Sequence, residues 1–425
     1  MNLTKKVFSK EYLLSLFIML PYVEFGPIYH VLSFSVDGVV FRAGQLMLFV
    51  STFVLALLAL QAKRHFGRQS KVLLVLLALI LLIPVRWLFV ENKDPAVFLA
   101  QYLNLILPLI FAFVYTNTIR SMGVCQKTLF RYVLFNFVIY STVILLYNIL
   151  VRKVLIDRTI RLHGPGGGAV IYGYTVFLMI VFALNIRKFI SKRSFFLSLL
   201  IMLIVVYATA SRAAIVLSAF VIFLYILMRL PKRTIAILLL LTATALMLIN
   251  PIDIFQKIIP RFFSLSAKDS TNARINTVLV SLRALFGSSW PVVLFGMGYS
   301  TVFPYLRWLN DFRIDSTITN QFHYGDEYML VQPHNTLIYL SHETGLVGAI
   351  LFILFFVCMQ MKLCKERRPM IISVFLWGFL VVNLFDSIVI IHPLASAVMW
   401  TLLFLLAVPI DMPNDKLHNE KSTNK

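Results

Sequence analysis

The chain of 425 residues is 60% hydrophobic and only 13% charged. A soluble globular protein normally carries about 25% charged residues, so this composition excludes that class and indicates an integral membrane protein. Lys and Arg number 39 against 18 acidic residues, but they are dispersed among short loops rather than gathered on one face, which argues against a nucleic-acid partner.

Apolar runs of the length that crosses a bilayer core recur along nearly the whole chain. They predict an all-α polytopic membrane protein of about 12 transmembrane helices with one large extracytoplasmic loop. The first run follows Lys5, Lys6 and Lys10 without a small-residue cleavage pattern, so it is interpreted as a retained helix. The predicted spans are 12–34, 43–61, 71–90, 96–119, 129–151, 169–186, 195–210, 213–228, 235–250, 336–361, 370–391 and 394–410.

Lys and Arg set the predicted topology. With a cytoplasmic N-terminus, every cytoplasmic turn is rich in basic residues, as the positive-inside rule requires. The C-terminus is then cytoplasmic too, and Cys125, Cys358 and Cys364 all lie on the reducing side. The predicted divisions are transmembrane helices 1–9 in 1–250, the large outer loop in 251–333, transmembrane helices 10–12 in 334–410 and a cytoplasmic tail in 411–425.

Basic residues on one short outer segment break this pattern. Arg152, Lys153, Arg158 and Arg161 precede a run of glycines and one proline at 164–168. Either the loop is simply solvated, or its charges receive an anionic ligand on the outer face. The glycine run lacks the Gly-Lys-Ser/Thr ending of a P-loop, so it is either a phosphate-contacting backbone or a flexible turn.

The long outer loop contains a helical pattern. Apolar residues at 275, 278, 279, 282, 285 and 286 share one face, while Arg274, Thr277 and Ser281 lie on another. We predict an amphipathic helix lying at the membrane surface. Arg274 then either faces lipid headgroups or holds a substrate. Arg212, predicted at the outer turn between two spans, either snorkels and fixes the end of a helix or serves a substrate or a partner.

His334 and Asn335 follow Pro333 where the long loop enters the span 336–361. Proline suits the start of a helix, and the free N–H groups there favour an anion such as phosphate. His334 is therefore either a capping histidine or a functional base. On a regular helix Glu343 is about 180° from His334, so we predict a structural role for Glu343. Any partner that orients His334 is expected from the outer loop or another helix.

Two carboxylates, Glu24 and Asp386, fall inside predicted spans. They are either functional groups or partners of buried polar groups. Asp311, Asp315 and the pair Asp326 and Glu327 match no metal-ligand spacing, so no metal site is predicted.

Several motifs occur in an order that resembles the O-antigen ligase and O-antigen polymerase superfamily, over roughly 161–356. They are Ser211-Arg212 at a helix turn, Ala273-Arg274-Ile275 and Phe295-Gly296-Met297-Gly298-Tyr299 in a long outer loop, Pro333-His334-Asn335, and Glu343-Thr344-Gly345-Leu346-Val347-Gly348.

The resemblance implies an enzyme on the outer face of the bacterial inner membrane. It transfers a glycan from undecaprenyl diphosphate to a sugar hydroxyl with inversion, and without a metal or cofactor. His334 is assigned as the base, and Arg212, Arg274 and more weakly Arg161 as ligands of the diphosphate. Asn335 and Glu343 are supporting candidates.

The acceptor is another lipid-linked repeat unit in polymerases and the lipid A core in ligases. We predict a polymerase, with a ligase as the alternative. The expected partners are the lipid-linked oligosaccharide, membrane lipids, a chain-length regulator and a flippase. A polysaccharide transporter or flippase is the non-enzyme alternative, although such proteins usually show internal repeats and this chain has no evident repeat.

Overall fold

The fold was taken from a computed structural model. It describes residues 9–20, 33–36, 39–61, 71–89, 95–152, 161–164, 168–231, 234, 275–298 except 276, 280 and 284, 321–324, 327–330 and 333–407. The helices are α1 Lys10–Met19, α2 Ala43–Gln61, α3 Lys71–Trp87, α4 Pro95–Ser121, α5 Gln126–Arg152, α6 Ala169–Asn185, α7 Lys192–Thr209, α8 Arg212–Leu227, α9 formed by the described residues between 275 and 286, α10 Trp290–Phe295, α11 Thr336–Lys365, α12 Met370–Phe385, α13 Ile388–Ile391 and α14 Pro393–Ala407.

Two short antiparallel hairpins accompany the helices, which an all-α prediction did not include. Strand β1 Ser33–Val36 pairs with β2 Val39–Arg42, and β3 Gln321–Tyr324 pairs with β4 Glu327–Leu330. Each hairpin has four residues per strand and a two-residue connection, so the chain remains predominantly helical.

Among the residues that the structure describes, membrane-spanning length is reached by part or all of four helices: Gln101–Ser121, Gln126–Val151, Lys192–Thr209 and Thr336–Lys365. Six shorter apolar helices accompany them, within α2, α3, α6, α8, α12 and α14. These ten segments agree with ten predicted spans to within a few residues at most ends. The predicted number of about 12 is not reached, because the span 235–250 and most of 12–34 lie outside the described residues.

One predicted span is interrupted before its expected end. The expected helix 370–391 ends at Phe385, and a separate short helix follows Ser387. Asp386 between them has an extended backbone, with φ −157° and ψ 154°, and its Oδ1 accepts the Ser387 amide at 2.9 Å. A short polar side chain that bonds its own backbone competes with the helical hydrogen bond, so the helix is interrupted here.

The helix ends show which parts of the chain share an end of the bundle. Gln126 Nε2 donates to the Leu405 carbonyl at 3.2 Å, and Arg131 Nε donates to the Phe189 carbonyl. The start of α5 therefore lies beside the ends of α6 and α14. We call this the basic end; its residues include Lys10, Lys127, Arg131, Arg187, Lys188, Lys365 and Arg368.

The opposite end follows from helix length. The helices α6 and α14 have 17 and 15 residues, so their first residues lie roughly 22–25 Å from the basic end. The start of α14 adjoins α13, and the start of α6 follows Gly168. We call this the site end, defined by His334, Asp386 and the turn before Arg212.

The helices α6 and α14 form the centre of the bundle, since nearly all of their residues are buried. Trp400 of α14 packs edge-on against Phe355 and Phe379, which joins α14 to α11 and α12. The helices around this centre expose large apolar side chains such as Phe49, as expected where a helix faces lipid.

Candidate active site

His334 and Asp386 face each other at the site end. His334 Nδ1 lies 3.3 Å from Asp386 Oδ1, although the two residues are 52 positions apart in the chain. The His334 side chain is 29% exposed and that of Asp386 only 7%. Because a carboxylate only accepts hydrogen bonds, a neutral imidazole here carries its proton on Nδ1 and leaves Nε2 as the proton acceptor.

Asn335, and not Pro333, caps the helix after His334. Its Oδ1 accepts the amides of Leu337 and Ile338 at 2.9 and 3.1 Å, which satisfies two of the free N–H groups at the start of α11. Its Nδ2 donates to the Leu384 carbonyl at 3.0 Å. The predicted supporting role of Asn335 thus has a structural counterpart, because one side chain starts α11 and ties it to the end of α12.

Ser387 ties the same two segments together from the other side. Its hydroxyl donates to the Pro333 carbonyl at 2.6 Å and accepts the Asn335 amide at 3.1 Å. These bonds bracket His334 in sequence. Since the backbone of His334 is held on both sides by the residue that follows Asp386, the imidazole and the carboxylate are set at a fixed separation.

Asn383 supports the break in the helix at Asp386. Its Oδ1 accepts the Thr336 hydroxyl and the Val389 amide, both at 3.1 Å, and its Nδ2 donates to Phe379. The side chain is fully buried. A buried amide with these partners rigidifies its surroundings, so the interrupted end of α12 is a built feature of the bundle.

Arg212 begins α8 after a tight turn between two apolar helices, as predicted. The preceding helix α7 ends at Ala210, which has a left-handed backbone with φ 49°, and Ser211 is extended. The Arg212 side chain is partly buried. Gly173 of α6 packs on this turn so closely that a Cβ would lie 2.9 Å from Ser211 Cβ.

Arg161 is brought to the same turn. The amide of its neighbour Leu162 donates to the Ala208 carbonyl at 2.9 Å, and Leu162 is fully buried. Two predicted diphosphate ligands, Arg161 and Arg212, are therefore attached to one turn at the site end. Two other residues, Arg274 and Glu24, lie outside the described residues, as does most of the basic segment before Arg161.

Glu343 lies in the part of α11 that meets residues 288–298 of the predicted outer loop, which we call the outer segment. It is fully buried, and its carbonyl accepts the Gly298 amide at 3.1 Å. The orienting partner of His334 comes instead from the end of α12, in line with the expectation of a contact from another helix.

The sequence did not single out Arg86, although an arginine near the outer end of a predicted span breaks the charge preference as Arg161 does.

Arg86 Nε donates to the Gly296 carbonyl at 2.9 Å, which links α3 to the outer segment. Among the residues that the structure describes, no group of three or more His, Cys, Asp and Glu side chains is arranged to hold a metal ion. The chemistry that these residues can perform is proton abstraction by an oriented imidazole and binding of an anion by arginines.

Comparison with known proteins adds one finding. No curated protein sequence matches the chain. The family model described as O-antigen ligase matches residues 197–353, which include Arg212, Arg274, His334 and Glu343 but end before Asp386. Residues 197–353 are therefore similar to the O-antigen ligase family, and this match supports a relation to the O-antigen ligase and polymerase superfamily.

Proposed function

We propose that the protein is a glycosyltransferase that polymerises surface polysaccharide. It transfers a glycan from undecaprenyl diphosphate to a sugar hydroxyl of another lipid-linked repeat unit. The observation that carries the proposal is the contact between His334 Nδ1 and Asp386 Oδ1, because it supplies an oriented base inside a chain of this superfamily.

The base acts on the acceptor. His334 Nε2 takes the proton of the attacking hydroxyl as its oxygen forms a bond to the anomeric carbon. The bond from that carbon to the diphosphate breaks, and undecaprenyl diphosphate leaves with the electron pair. Attack opposite the leaving group inverts the anomeric centre. Asp386 stabilises the imidazolium, as the carboxylate of a Ser-His-Asp triad does.

Arginines serve the donor. Arg212 and Arg274 hold the departing diphosphate, with Arg161 as a third ligand, because a guanidinium stays charged and matches phosphate oxygens in pairs. A diphosphate is already a good leaving group, so the reaction needs no carboxylic acid to protonate it, unlike glycoside hydrolysis. The attachment of the Arg161 segment to the Arg212 turn supports a shared role.

The site end is proposed to face outward across the bacterial inner membrane. The cluster of Lys and Arg at the basic end supports this, because cytoplasmic turns carry the excess of positive charge. The proposed topology keeps both termini cytoplasmic, with spans in 1–250 and 334–410 around an outer loop at 251–333. A flippase that delivers the substrate and a chain-length regulator are the proposed partners.

Replacement of the base tests the proposal. Purified His334→Ala protein, given undecaprenyl-diphosphate-linked repeat units in detergent, is expected to form no polymer above background. Wild-type protein and a His418→Ala control, altered in the predicted cytoplasmic tail, should both form polymer. Full-length polymer from His334→Ala would show that the base is another group. Extension of repeats by wild-type protein alone would exclude the transporter alternative.

A ligase is the second candidate, favoured by the description of the matching family model. Polymerase and ligase share the same donor chemistry and differ in the acceptor. Chromosomal deletion separates them. Loss of a polymerase leaves surface glycans with one repeat unit, whereas loss of a ligase leaves full-length polymer on its lipid carrier.

A further inference from the structure

The long helix α11 is broken at Gly345, one-third of the way from its first residue. Gly345 has φ 72° and ψ −177°, a backbone conformation that side chains other than glycine rarely adopt. A helix interrupted in this way loses the amides that would bond the carbonyls of the preceding turn. In a membrane such carbonyls need other partners within the protein.

The outer segment provides these partners. The Met297 amide donates to the His342 carbonyl at 2.8 Å, and the Gly298 amide donates to the Glu343 carbonyl at 3.1 Å. The outer segment and α11 can approach this closely only because each has a glycine at the contact. A Cβ on Gly296 would lie 2.5 Å from the Glu343 carbonyl carbon, and a Cβ on Gly345 would overlap the Leu294 carbonyl.

The His342 side chain makes a second contact with the outer segment's neighbour α9, one helical turn before Gly345 in the sequence. Its Nε2 lies 2.5 Å from the Ser281 carbonyl of α9, and the side chain is only 1% exposed. A carbonyl only accepts, so the imidazole donates from Nε2. We call these three contacts, from His342 to Ser281, Met297 to His342 and Gly298 to Glu343, the α11 clasp.

The clasp joins the parts that the proposed reaction needs to align. Helix α11 begins at Thr336, two residues after His334, and Ile275 of α9 follows Arg274 in the sequence. The three contacts therefore fix α9 relative to the first turns of α11.

We propose that His342 and Gly345 are positioning residues, which hold α9, the helix that follows Arg274 in the sequence, on the broken helix α11 for binding of the donor diphosphate. This inference rests on the proposed function. It assigns no contact with substrate to either residue.

Two substitutions of His342 test it in the purified full-length protein. His342→Leu removes the donor to Ser281 and keeps an apolar side chain of moderate size, whereas His342→Gln supplies an N–H group in the place of Nε2. We expect His342→Leu to raise KM for the lipid-linked donor about tenfold, the scale of one lost hydrogen bond. His342→Gln should return KM to within about twofold of wild type.

Val398→Ala is the control for a general loss of stability, since Val398 is buried in α14. It should lower the amount of active protein and leave the donor KM unchanged. If His342→Leu behaves like this control, with lower Vmax and an unchanged KM, the positioning role is overturned and His342 only stabilises the fold.

Hydrogen exchange of the amides in residues 290–298 measures whether the clasp hydrogen bonds are formed, independently of any activity assay. The amides of Met297 and Gly298 should exchange slowly in wild type and His342→Gln, and faster in His342→Leu. Equal exchange in all three proteins overturns the inference. A protected clasp in a wild-type protein that transfers no glycan would instead reject the proposed function, so the two failures are distinguishable.

Discussion

Asp386 determines which nitrogen of His334 is basic. Asp386→Asn keeps the size of the side chain, but its amide can donate to Nδ1 and so leave the proton of the imidazole on Nε2. We expect kcat for glycan transfer to fall by about 10²–10⁴-fold, the usual contribution of general base catalysis, with little change in donor KM. Initial rates with purified protein and lipid-linked repeat units measure this.

Glu366→Gln provides the matched control for that charge change. Glu366 pairs with Lys362 and Arg368 at the basic end, far from His334. Its loss should leave kcat unaltered. A full wild-type rate for Asp386→Asn would mean that His334 needs no carboxylate partner.

Asn335 contributes to stability as well as to the position of His334. Asn335→Ala removes the cap of α11, worth about 1 kcal/mol, and the bond to the Leu384 carbonyl, worth about the same. The apparent melting temperature in detergent should therefore fall clearly. Asn185→Ala is the comparison, because the buried Asn185 Nδ2 has no hydrogen-bond partner among the described residues. Equal shifts for the two variants would contradict the capping role.

At the scale of elements, α9 has an unusual distribution of polarity. Thr277 and Ser281 are each 1% exposed and face the protein, while Ile275, Leu279 and Phe286 are about half exposed. The contact of Ser281 with His342 lies roughly 9 Å along α11 from its first residue. The sequence predicted an amphipathic helix on the membrane surface, and the exposed Ile275, Leu279 and Phe286 side chains fit contact with hydrocarbon better than contact with water.

A spin label on α9 tests this placement. Leu279→Cys, in a variant whose three native cysteines are serine, should collide more with oxygen than with a water-soluble nickel chelate when the protein is in lipid. A second variant that keeps only Cys364, which is exposed at the end of α11, should show the reverse preference when labelled there. Comparable nickel access at both positions would put α9 in water.

At the scale of the whole molecule, the sequence located the spans better than the site. Bilayer thickness sets the length of an apolar run, so bounds such as Ala43–Gln61 agree with prediction. The interruptions at Asp386 and Gly345 depend on contacts distant in sequence, such as Ser387 with Pro333, 54 residues away. No local periodicity contains such contacts, which is why the pairing of His334 with Asp386 was not foreseen.

The three native cysteines test the orientation of the bundle. Cys125 precedes α5 at the basic end, and Cys358 and Cys364 lie toward the end of α11. If the basic end is cytoplasmic, a membrane-impermeant maleimide should label none of them in intact spheroplasts and should label Cys125 and Cys364 in inverted vesicles.

The rate of labelling at Cys125 depends on its thiol pKa. Hydrogen bonds from Thr128 to the sulfur lower the pKa of the Cys125 thiol, so more of the thiol is thiolate at neutral pH and labelling is faster. Thr128→Val should raise that pKa and slow the labelling of Cys125 at pH 7 without affecting Cys364. Labelling of Cys125 in intact spheroplasts would reverse the topology and remove His334 from the outer face, where the lipid-linked donor is expected.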